Sequence, residues 1–101
     1  MTKPTPLTAI EAKRLILEIL QDGEIQPSRH CRLEKMPERG VQMADIRHAL
    51  TTGEIKRAAE WDNEHSSWKY RVEGEDTEGD ELTAITVIVT EAMRLVIVTV
   101  F

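Results

Sequence analysis

The chain has 101 residues, 41% of them hydrophobic and 31% charged, with a net charge of −5. That is one domain's worth of sequence, too apolar to stay disordered and too acidic overall for a uniformly basic nucleic-acid binder. No apolar run reaches the roughly 18 residues of a membrane span, Met1–Leu7 lacks the apolar core of a signal peptide, and a lone Cys31 leaves no internal disulfide framework. These features exclude a secreted miniprotein, a helical membrane protein and a multidomain enzyme, and they suit a reducing, cytoplasmic compartment.

Residues 1–7, with two prolines and two threonines, read as a short flexible tail, followed by a single domain over 8–101. Thr8 and Glu11 have capping-box spacing, and Gly23 offers a stop, so 8–22 reads as an amphipathic helix carrying Ile10, Ala12, Leu15, Ile16, Leu17, Ile19 and Leu20. Ser28 is placed to cap a second helix bearing Cys31, Leu33 and Met36 and stopping near Pro37, with Gly40 as the turn. A third helix over about 43–51 turns Ile46, Ala49 and Leu50 inward, and Gly53 closes it.

Past Gly53 the apolar period changes from 3.6 to 2. Ile55–Trp61 reads as a strand, and Trp68, Tyr70 and Val72 alternate with Lys69, Arg71 and Glu73 in a second. The acidic segment 74–79 reads as a hairpin loop. The β-branched run 82–90 predicts a central strand buried on both faces, and 95–101 predicts the last one. The expected fold class is α+β: two to three N-terminal helices packed on a four-stranded antiparallel sheet. The apolar content of the last two strands asks for cover on the second sheet face, which a homodimer would supply.

Charge is unevenly spread. Residues 29–57 hold seven basic and four acidic residues, a net of +3, whereas 60–81 hold nine acidic and two basic, a net of −7. His30 is a candidate general acid or base, because imidazole titrates near neutral pH, and Arg39 is the candidate cation to hold a phosphate. Lys69 and Arg71, two apart on one strand, share a face, and Arg57 is a candidate to join them in an anion-binding groove. Tyr70 points to the core with Trp68. His30, Cys31, His48 and His65 match no metal-ligand spacing, and no phosphate-cradling glycine loop is present, so neither metal nor cofactor is expected.

The segment SRHCRLEKMPERGVQMADIRHALTTGEI, with Ser28, His30, Met36, Arg39 and Gly53 at their spacing, resembles a small bacterial domain family of uncharacterised function. The closing strands, WKYRVEG and LTAITVIVTEAMRLVIVTV, are similar to that family's, so the likeness spans 28–101. By fold that family is similar to RelE-like and BrnT-like toxins. The resemblance implies helices on an antiparallel sheet, a groove lined by basic residues, an antitoxin-like protein partner, and RNA as the substrate of any endoribonuclease activity. The chain departs from the toxin pattern in being acidic and in ending on Phe101, which cannot transfer a proton. The reading is therefore an interaction domain of toxin-like fold without robust catalysis, with the endoribonuclease as the alternative.

Overall fold

A computed structural model describes residues 3–101. Helix α1 (Ala9–Asp22) begins with the capping box: Thr8 Oγ1 accepts from Glu11 N–H at 3.1 Å, and Glu11 accepts from Thr8 N–H at 2.9 Å. Those two hydrogen bonds, the Thr8 backbone donor first, hold the Glu11 carboxyl below its ordinary value. The buried stripe is narrower than the apolar count predicts. Ala12, Ile16 and Ile19 are fully buried, while Ile10 and Leu17 face solvent.

Strand β1 (Glu24–Pro27) follows, where the sequence shows only a linker. A π-helical turn, Cys31–Lys35, then runs into α2 (Met36–Arg39). Ser28 caps this element as expected, its Oγ accepting from Cys31 N–H at 3.1 Å. The helix does not stop at Pro37. In the π turn Met36 N–H reaches the Cys31 carbonyl five residues back, and this wider winding relieves the clash a proline ring makes with the carbonyl four residues before it. The chain turns instead at Gly40, in the left-handed region at φ 65°. Leu33 is exposed, and Cys31 is fully buried, which pushes its thiol pKa up.

Helix α3 (Met43–Thr52) matches its expected span and buries Ile46, Ala49 and Leu50. Asp45 completes a capping box by accepting from Gln42 N–H at 2.9 Å. Its other oxygen accepts from the Thr77 hydroxyl and N–H, tying the helix start to the acidic hairpin. The C-terminus of α3 is capped from another helix: Lys13 Nζ of α1 donates to the carbonyls of Leu50 (2.6 Å), Thr51 (3.0 Å) and Gly53 (2.5 Å). Burial pulls the Lys13 pKa down and Glu54 lifts it. An ammonium has three protons for three acceptors, and its charge suits the negative end of the helix.

The sheet comprises β1, β2 (Glu60–Asp62), β3 (Ser67–Glu75), β4 (Glu81–Val89) and β5 (Arg94–Val100), in the order β1-β5-β4-β3-β2. It is five-stranded and mixed rather than four-stranded and antiparallel, because β1 pairs in parallel with β5, Ile25 opposite Leu95. Pro27 is tolerated because β1 is an edge strand. The expected strand over 55–61 shrinks to three residues preceded by a single bridge, Glu54 with Glu73. Strand β4 is central, yet only one of its faces is fully buried, that of Leu82, Ala84 and Thr86. A bulge between Ile85 and Thr86 keeps Leu95, Ile97 and Val100 on that same face of β5.

The helices cover this face but not all of it. Lys3–Leu7 lie against its β2–β3 end, with Trp68 Nε1–H donating to the Pro4 carbonyl and Leu7 N–H donating to Tyr70 Oη. Met1 and Thr2 of the expected tail lie outside the described residues. No described helix is long and apolar enough to cross a membrane.

Candidate functional site

The open face of the sheet carries the side chains that alternate with the core. They include Lys69, Arg71 and Glu73 from β3, Thr83, Ile85, Val87 and Val89 from β4, and Arg94, Val96 and Thr99 from β5. Phe101 follows β5, its backbone paired with Thr83, and its ring is half-exposed. The Arg71 guanidinium lies 5.0 Å from the centroid of that ring and 3.8 Å from Glu73. Among the described residues, Arg71 Nε is buried without a hydrogen-bond partner.

Two clefts open on either side of the Arg71–Phe101 stack. The smaller, about 170 Å³, is walled by Arg57, Lys69, Arg71, Ile85 and Phe101, with Glu60 and Ala58. The three residues expected to bind an anion therefore meet. Arg57 reaches the cleft from the loop before β2, where the sequence predicts a strand. The larger cleft, about 930 Å³, takes Arg39, Lys56 and Arg71 together with six carboxylates: Glu54, Glu73, Glu75, Asp76, Asp80 and Glu81. Arg39 is fixed at its rim by donating Nη2–H to the Glu81 carbonyl at 2.8 Å. Three cations against six carboxylates make this cleft acidic: five of the six come from the net-negative stretch 60–81, which the fold brings beside Arg39 and Lys56.

His30 lines neither cleft. It stands exposed on the helical segment before α2, its Nδ1 3.0 Å from Glu34 four residues on. The structure thus brings Arg39 and Arg71 to one cleft and Arg57, Lys69 and Arg71 to the other, and leaves His30 with Glu34. Tyr70 is buried on the opposite face, as expected.

One family comparison bears on the chain: a domain of unknown function, DUF4258, matches residues 27–101. The chain belongs to the DUF4258 family. The match begins within β1 and takes in every element of both clefts, while α1, which supplies the Lys13 cap, precedes it. This DUF4258 chain matches no curated protein and no solved structure.

Away from the clefts, Asp62, Glu64 and His65 bring three ligand-type donors within 4.8 Å of one another. The turn is internally satisfied: Asp62 accepts from Glu64 N–H, from His65 N–H and from His65 Nδ1 at 2.9 Å. The His65 hydrogen bond is the main cause holding the Asp62 carboxyl below its ordinary 3.8, and the same bond lifts His65 above 6.5. The raised imidazole contributes fully below pH 6.5 and its contribution is lost as pH rises through the folded value. The depressed carboxyl contributes above pH 3.8 and is lost as pH falls through its folded value. In Asp62→Asn the His65 titration, followed by NMR, moves down toward 6.5; an unmoved midpoint contradicts the pairing.

Proposed function

We propose that the chain is a non-catalytic interaction module on a RelE- or BrnT-like frame, whose open sheet face docks a second copy of the chain. The observation that carries this is the make-up of the face. Ile85, Val87, Val89 and Val96 form an apolar strip left only partly covered, and charges of both signs rim it. An isologous pair sets each copy's cationic end, Arg57, Lys69 and Arg71, against its partner's carboxylates while burying the two strips. A polyanion would gain at the small cleft and be repelled at the large one. Light scattering tests the reading: the chain sizes as a dimer, and Val87→Glu, which places a charge in the strip, sizes as a monomer. A chain that is monomeric throughout the micromolar range overturns it. An antitoxin-like protein would use the same face.

The endoribonuclease reading keeps one supporting observation: three cations and an aromatic ring share one cleft, the combination that holds a phosphate beside a stacked base. It loses the group the sequence pointed to, since His30 belongs to another surface and the Phe101 ring has no titratable atom; the carboxylate in that cleft is Glu60, which stands among the three cations.

A further inference from the structure

The sheet's helix-side face is finished, at its β2–β3 end, by aromatic side chains rather than by a helix. Trp61 and Trp68 are cross-strand partners, their rings 5.1 Å apart and edge-on at 66°. Tyr70 continues the row along β3. Three of the chain's four aromatic residues thus form one strip.

What lies on the strip is Lys3-Pro4-Thr5-Pro6-Leu7. Each proline fixes its own φ, and each restricts the residue before it to extended backbone, so this segment is held near a polyproline II conformation before it docks. Two side-chain donors or acceptors of the strip read its main chain: Trp68 Nε1–H reaches the Pro4 carbonyl at 2.6 Å and Tyr70 Oη accepts from Leu7 N–H at 2.9 Å. The Lys3 ammonium lies 5.9 Å from the Trp61 ring centroid. An aromatic row that hydrogen-bonds the main chain of a preformed proline segment is a recurring solution for binding extended peptides at low entropic cost. The fit is incomplete. A cavity of about 450 Å³ remains beside Pro6 and Leu7, walled by Ile55, Ala58 and Tyr70.

We infer that the Trp61–Trp68–Tyr70 strip is a binding site for basic, proline-containing extended segments, and that Lys3–Leu7 is its resident occupant, displaced when such a segment arrives from another protein. The aromatic strip lies on the sheet face opposite the clefts, its cavity shares only the 56–58 loop with them, and the inference does not depend on the docking reading above. The tether supplies the resident segment at a millimolar-scale effective concentration, so an incoming segment must compete with it. The unfilled cavity gives the incoming segment its advantage, since a larger apolar residue at the Leu7 position gains contacts the resident does not make.

The test uses the full chain, its double variant Pro4→Gly/Pro6→Gly, and the synthetic peptide acetyl-Lys-Pro-Thr-Pro-Leu-Thr-amide. The substitutions lie outside every helix and strand, so they loosen the resident without touching the core. The peptide shifts the Trp68 indole N–H resonance of the double variant, and binds the unaltered chain about tenfold more weakly. The same peptide with alanine at both prolines shifts neither. A Trp68 indole that the peptide does not move in the double variant, or an alanine peptide that binds equally well, overturns the assignment. So does equal affinity for the variant and the unaltered chain.

Discussion

Gly74→Ala will destabilise the chain by about 3 kcal/mol, at the upper end of what overpacking costs, because the contact is with backbone that cannot swing aside. A Cβ at Gly74 would fall on the carbonyl oxygen of Ala49, and the nearest other atoms are also Ala49 backbone. Gly53 faces the same carbonyl, its Cβ position 2.5 Å from that oxygen. Ala49 is itself fully buried. The last turn of α3 therefore lies directly on β3, with side chains reduced to hydrogen or methyl on both sides. Adding one methyl group lifts the helix off the sheet and loosens Leu50 and Ile46 behind it. Urea denaturation measures the loss. A change under about 0.5 kcal/mol, the scatter of neutral surface substitutions, would show that the two backbones do not approach this closely.

The second large effect is at Lys13. Lys13→Met keeps the aliphatic stem and removes the ammonium, leaving the Leu50, Thr51 and Gly53 carbonyls without their donor. Charge-assisted hydrogen bonds and the penalty for stranding part-buried carbonyls set the expected cost at about 2 kcal/mol. Lys13→Arg, which keeps a cation in reach, recovers most of it. Denaturation of the two variants side by side distinguishes loss of charge from loss of packing: equal destabilisation by both would place the effect in packing.

What the sequence made legible follows from the range of the forces involved. Helix α3 was readable because its buried trio, Ile46, Ala49 and Leu50, and its stop at Gly53 are local signals. Strands β3 to β5 were readable from period-two alternation and β-branching. Strand β1 was not, because Glu-Ile-Gln-Pro is too short to show a period, and its pairing with β5 joins residues 70 apart. The seating of Lys3–Leu7 escaped for the same reason: Pro4 meets Trp68 across 64 residues. The shared face of Lys69 and Arg71 followed from strand parity, but the company they keep did not. Arg57 reached them from a loop, and the carboxylates of the larger cleft come from four separate segments. His30 illustrates the opposite failure. A histidine between basic residues looked chemical in one dimension, whereas helical geometry gave it Glu34, its neighbour one turn on.

The charged open face either docks a partner or processes RNA. Inducing the chain in a bacterial host and reading transcript ends across the transcriptome separates the two. The docking account predicts transcripts as intact as in cells carrying Lys69→Ala/Arg71→Ala. New transcript ends that appear with the unaltered chain and vanish with that double substitution would contradict it.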